Sequence, residues 1–148
     1  MAVTVIETRQ MGRIMAIDFG RKRSGVAVTD TLRIVANSLP AVRTCDLLDF
    51  IKAYCSREPV DLILMGEPRT MLGEESESMR YIKPFLGRLR RELPDMKIEM
   101  CDERFTSVIA HREMLAAGFK KSDRQRKGLA DEMSAVIILN TWLETHNP

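Results

Sequence analysis

The amino-acid sequence predicts an α/β sandwich in which helices flank a mixed sheet. Three observations carry this expectation. The apolar pattern switches between strand-like alternation and helical spacing along the chain. The opening segments read as a hairpin, whereas later strands are separated by helix-length stretches, which mixes antiparallel with parallel pairing. The segment Val60-Asp61-Leu62-Ile63-Leu64-Met65-Gly66 is almost wholly apolar at strand length, as a strand buried on both faces requires.

Taken in order, residues 12–18 and 25–30 form the hairpin around a Gly-bounded polar turn. Residues 34–43 read as a third strand, which Pro40 places near an edge. Thr44 is expected to cap a helix whose inner face is Leu47, Phe50, Ile51, Tyr54 and Cys55. After the strand 60–66 comes a loop, 67–73. Helical spacing then runs over 74–91 through Met79, Ile82, Phe85, Leu86 and Leu89, with a kink or break expected at Pro84. Pro94 marks the exit, and 96–101 reads as the fifth strand. Thr106 or Ser107 caps a further helix that Gly118 ends, and 119–127 is a basic loop. Gly128 opens a final helix reaching Glu144, apolar around most of its circumference, with Trp142 in the core. Residues 1–10 read as an extension preceding a single domain over 11–148.

The bulk numbers exclude several classes. A chain of 148 residues with 45% hydrophobic and 30% charged residues suits one soluble globular domain. No apolar run approaches the roughly 20 residues of a bilayer span. The first ten residues are too polar for a signal-peptide core, so cytoplasmic residence without a membrane is expected. Three cysteines without a CxxC pair argue against a disulfide framework or a zinc cluster. Two histidines rule out a His-rich centre, so any metal must rely on oxygen ligands. The net charge of +2 is nearly neutral, but its distribution is uneven. Arg21-Lys22-Arg23 and the run Lys120 to Lys127 are basic blocks, with Arg80, Lys83, Arg88, Arg90 and Arg91 between them. Such segments beside acidic sites suit a phosphodiester substrate.

The acids are the informative part. Asp18 ends the first strand, where ligands of open α/β sheets gather. Glu67 ends the apolar strand. Asp102 and Glu103 follow the fifth, and alternation lets one of the two face a shared cleft. Asp131 lies in the first turn of the final helix, where a buried, unpaired carboxylate would be costly. Carboxylates arriving from separate elements suggest a Mg²⁺ or Mn²⁺ site, because both ions prefer hard oxygen ligands. Two such ions can activate water and stabilise a leaving oxygen.

Ile17-Asp18-Phe19-Gly20, Arg23-Ser24-Gly25-Val26-Ala27-Val28-Thr29-Asp30, Gly66-Glu67-Pro68, Asp102-Glu103-Arg104-Phe105-Thr106-Ser107 and Asp131-Glu132-Met133-Ser134-Ala135 occur in one order over residues 12–143. In this the chain resembles the YqgF family, also called RuvX, whose names refer to Holliday-junction resolution and to nuclease action on precursor 16S rRNA. The resemblance implies a ribonuclease-H-like fold with a mixed five-stranded sheet and a metal-dependent nuclease site. Asp18, Glu103 and Asp131 match its acidic positions. Asp102 and Arg104 share a motif with Glu103, and Glu67 stands where the family pattern is usually apolar. The likeness implies that Asp18 bridges two metals, that Glu103 and Asp131 each hold one, and that water attacks to leave a 5′-phosphate and a 3′-hydroxyl. Arg21, Lys22, Arg23, Arg104, Lys120, Lys121, Arg124, Arg126 and Lys127 would bind nucleic acid. The implied substrate is the 5′ leader of precursor 16S rRNA, or else a four-way DNA junction, which favours a homodimer over a monomer. A non-catalytic nucleic-acid-binding module is disfavoured because all three matched carboxylates are present. An actin-like ATPase is disfavoured because the chain is too short for two lobes.

Overall fold

The computed structural model describes residues 12–68, 72, 76–102 and 129–146, with the backbone alone for 129–131. The elements are β1 (Arg13–Asp18), β2 (Arg23–Thr29), β3 (Ala36–Arg43), a 3₁₀ turn (Thr44–Asp46), α1 (Leu47–Arg57), β4 (Val60–Glu67), α2 (Met79–Glu92), β5 (Lys97–Asp102) and α3 (Leu129–His146). The sheet has the order β3-β2-β1-β4-β5. β1 pairs antiparallel with β2, and β2 with β3, whereas β1–β4 and β4–β5 are parallel. The hairpin, the edge position of Pro40 and the mixed pairing all match the sequence expectation.

Strand alternation explains the apolar runs. Ile14 and Ala16 of β1 and Leu62 and Leu64 of β4 face α3, where they meet Ala135, Ile138, Leu139 and Leu143. Met15, Ile17, Ile63 and Met65 point the other way, onto Leu47 and Ile51 of α1 and Ile82, Phe85, Leu86 and Leu89 of α2. Both faces of β1 and β4 are thus covered, so polar residues are excluded from their centres. Full burial of each such side chain contributes about 1.5–3 kcal/mol. β3, at the edge, has only exposed and half-buried positions instead. Among the described residues, no helix is long and apolar enough to cross a membrane.

Several local expectations are corrected. α2 begins at Met79 rather than at 74, and it runs unbroken through Pro84 to Glu92. Pro84 lies on its exposed side, so the Arg80 carbonyl it cannot serve is on the solvent-facing side, while the buried apolar stripe holds the helix to the sheet. Thr44 does not cap α1; it opens the 3₁₀ turn, and its hydroxyl is bonded elsewhere. α3 extends to His146. Trp142 is only half-buried, because its indole N–H reaches Glu99 Oε2 (3.3 Å) at the rim of the α3 core. The extension 1–10 and the helix expected after Thr106 or Ser107 lie outside the described residues.

Candidate functional site

Asp18 is the last residue of β1, and alternation places it on the face of Ile14 and Ala16, towards α3. Its Cα partner across the hairpin is Gly25. On the far side of β2 the register slips: Ser24 pairs with Val42 and Val26 with Leu39, so Pro40 and Ala41 together oppose Gly25. This is a bulge in β3, a feature common beside active sites. Pro40 has no N–H to leave unpaired. The Ala41 N–H instead donates to Glu132 Oε1 at 3.0 Å. The first turn of α3 is therefore tied to the edge strand in line with Asp18, two strands away or about 10 Å. The backbone of Asp131, one residue before Glu132, is brought to the same end of the sheet as Asp18.

The β1–β2 turn is braced from beneath. The Gly20 N–H donates to Ser24 Oγ (3.2 Å), and the Thr44 hydroxyl donates to the Gly20 carbonyl (2.6 Å). Ser24 Oγ and Thr44 Oγ1 lie 2.8 Å apart, and the Thr44 N–H donates to the Lys22 carbonyl (2.9 Å). Gly20 is required by this closeness, since a Cβ there would meet the Arg23 carbonyl oxygen. The turn presents Arg21 and Lys22 to solvent, with the Arg21 guanidinium 4.6 Å from the Tyr81 ring centroid. A hydrogen bond from Arg80 holds the Tyr81 phenol below its ordinary pKa, and the Arg21 charge adds to this. Arg23 is half-buried, shares the face of Gly25 by alternation, and its Nε is buried without a hydrogen-bond partner among the described residues.

The two further acids lie elsewhere. Glu67 and Asp102 are Cα partners at the ends of β4 and β5. Alternation puts Glu67 on the face of Ile63 and Met65, and Asp102 on that of Ile98 and Met100, which is the α1–α2 side. Strand parity thus separates this pair from Asp18 by the thickness of the sheet. Glu103, Arg104, Lys120, Lys121, Arg124, Arg126, Lys127 and the side chain of Asp131 lie outside the described residues. Among the described residues no three acidic, histidine or cysteine groups gather to hold a metal. Sequence reasoning missed Glu132 as the anchor of α3, although its place beside Asp131 was a signal. It also missed Thr44 as a brace, a role that depends on a partner 24 positions away.

A parallel and antiparallel sheet with an acid at the end of its central strand and helices on both faces defines the ribonuclease-H-like class. The T. thermophilus RuvC structure, solved in complex with a Holliday-junction substrate, shares the fold with a TM-score of 0.56 at 14% identity, covering 92% of this chain and 96% of that one. The RuvX family model, described as a Holliday junction resolvase, matches residues 12–145, and the chain belongs to that family. A relative from Bacteroides fragilis (strain ATCC 25285) is 57% identical over 135 residues, covering 91% of this chain and 98% of the relative. One from Phocaeicola vulgatus is 56% identical over 135 residues, covering 91% and 97%. Both are named as candidate pre-16S rRNA nucleases.

Proposed function

We propose that this protein is a nuclease that hydrolyses phosphodiester bonds in the maturation of the 5′ end of precursor 16S rRNA, with Mg²⁺ or Mn²⁺ as cofactor. The names of its relatives and its family support the activity. The structural observation that carries it is the line from Asp18 through Gly25 and the β3 bulge to Glu132, which brings the Asp131 backbone to the Asp18 end of the sheet. Asp18, Glu103 and Asp131 would hold the cation. Their donor atoms are all carboxylate oxygens, which fits a hard divalent ion. When bound, that ion supplies an activated water and stabilises charge on the leaving oxygen.

The chain's own residues prepare this chemistry. Gly25 opposite Asp18 leaves room on the α3 face, since it adds no side chain there. Arg21 and Lys22 meet the substrate backbone from the braced turn, and Arg23, with its buried Nε unpartnered among the described residues, is oriented from the Asp18 face. Arg104, Lys120, Lys121, Arg124, Arg126 and Lys127, which lie outside the described residues, would add cationic contacts to the substrate backbone. Hydrolysis adds water across the P–O3′ bond and leaves a 5′-phosphate and a 3′-hydroxyl.

The test incubates wild type and Asp18→Asn with a precursor-rRNA leader and with a four-way DNA junction, each in Mn²⁺, Mg²⁺ or EDTA. Wild type cuts the leader only with metal. Loss of a group one step removed from a metal already costs about 10–100-fold, so Asp18→Asn falls by more than about 100-fold. A mutant that cuts like wild type would overturn the assignment. Preference for the junction would favour the second reading, which rests on the family's description as a Holliday junction resolvase, and would call for a two-fold dimer.

A further inference from the structure

A cleft of about 300 Å³ lies on the α2 side of the sheet, just past the end of β1. Its floor is Phe19 against Phe85, with ring centroids 5.2 Å apart, and its rim carries Arg21, Tyr81, Arg88 and Thr44. Phe19 is the residue after Asp18, so the cleft begins where β1 ends, but on the face opposite Asp18. Among the described residues no acidic side chain lines it. Tyr81 holds the Arg21 guanidinium against its ring, which removes rotamer freedom before any ligand arrives.

The cleft continues onto α2. The helix carries five cations, Arg80, Lys83, Arg88, Arg90 and Arg91, against one acid, Glu92, which is paired with Lys52 at 3.0 Å. Arg80, Lys83, Pro84, Gly87, Arg88 and Arg91 recur at helical spacing on its exposed side. Among the described residues Arg88 and Arg91 have no ion pair. Gly87 has nothing within 4 Å of where a Cβ would stand, so packing does not require it, yet it costs helix stability. Pro84 and Gly87 leave the stripe low between its cations, which allows close approach of a polyanion.

We propose that the Arg21–Tyr81–Arg88 cleft and the basic stripe of α2 bind the phosphodiester backbone of a single-stranded flank of the substrate as it leaves the Asp18 end of the sheet. This deepens the nuclease reading and rests on it. Arg21 and Arg88 pair with phosphates, and Tyr81 sets the direction of Arg21. Because recognition is through the backbone, the subsite accepts any base sequence. The acids Glu67 and Asp102 share this face of the sheet but belong to the neighbouring strands β4 and β5, and neither lines the cleft.

The experiment measures binding of a fluorescein-labelled single-stranded 12-nucleotide RNA by anisotropy in EDTA, where cleavage does not contribute. Arg88→Glu and Arg88→Gln are compared with Lys97→Glu, a charge reversal of an exposed residue on β5, and each is checked for an unchanged melting temperature. Arg88→Glu is expected to weaken binding about 10-fold and Arg88→Gln about 3-fold. Each should flatten the salt dependence by about 0.7 for every phosphate it no longer neutralises. Tyr81→Phe retains binding and Tyr81→Ala weakens it, since the ring rather than the hydroxyl supports Arg21. Lys97→Glu stays within twofold of wild type. Equal affinities for Arg88→Glu and wild type, or equal losses for Arg88→Glu and Lys97→Glu, overturn the subsite. If Asp18→Asn is inactive while Arg88→Glu binds and cuts like wild type, the subsite alone fails. If Asp18→Asn cuts normally, the nuclease assignment fails first.

Discussion

Removing the Glu132 carboxylate tests how the fold places α3. Its first turn is bonded to the edge strand from the Ala41 N–H to Glu132 Oε1, at 3.0 Å. That N–H is free of the ladder because the β3 bulge sets two residues against Gly25. A hydrogen bond to a charged acceptor contributes about 1.5–3 kcal/mol when shielded, and half-exposure of Glu132 lowers this to about 1–2 kcal/mol. At roughly 2–4 °C per kcal/mol for a chain of this size, Glu132→Ala should melt about 2–8 °C lower. Glu132→Gln keeps a neutral acceptor and should lose about half as much. Activity should fall further than stability. A displacement of the α3 first turn by about 1 Å moves the Asp131 backbone relative to Asp18, a misplacement that can cost about 100-fold. The assay is thermal unfolding by circular dichroism, with leader cleavage measured well below both melting temperatures. An alanine variant that melts and cuts like wild type would refute the anchoring role.

Further outcomes follow from single residues. Gly20→Ala drives a Cβ onto the Arg23 carbonyl and should cost about 1–3 kcal/mol in urea unfolding, whereas Ser at this position should do no better. Gly87→Ala fills open space on an exposed helix and should stabilise by about 1 kcal/mol, seen as a higher urea midpoint with unchanged slope. The Asp30 carboxyl is held below its ordinary pKa of 3.8, first by the Val35 N–H and then by that of Ile34. A depressed carboxyl stabilises the fold above its unfolded pKa and loses that effect as pH falls through the folded value. Stability of wild type should therefore drop more steeply than that of Asp30→Asn below about pH 4, and parallel acid limbs for the two would contradict the assignment.

The periodicities of 12–18, 25–30 and 60–66 were legible in the sequence because burial on one or both faces dictates them, and they suffice for a hairpin followed by parallel strands. Pro84 misled, because a local rule about the missing N–H was outweighed by the buried stripe of Met79, Ile82, Phe85 and Leu89. Thr44 misled for the converse reason: its hydroxyl satisfies the Gly20 carbonyl, a partner that nothing within its own segment could announce. The acids show the same division. Their positions at strand ends and in the first turn of a helix could be read from the chain, but which face each one occupies depends on register.

Sequence by itself thus determined the alternating layers, the edge strand and the strand-end positions of Asp18, Glu67 and Asp102, since hydrophobic burial and backbone pairing act through local pattern. Tertiary structure decided the rest. It placed Asp18 on the α3 face and set Glu67 and Asp102 on the other, because one residue of register reverses the direction of a side chain. It tied Glu132 to a bulge 91 positions away, a bond that exists only once the edge strand and the last helix have met.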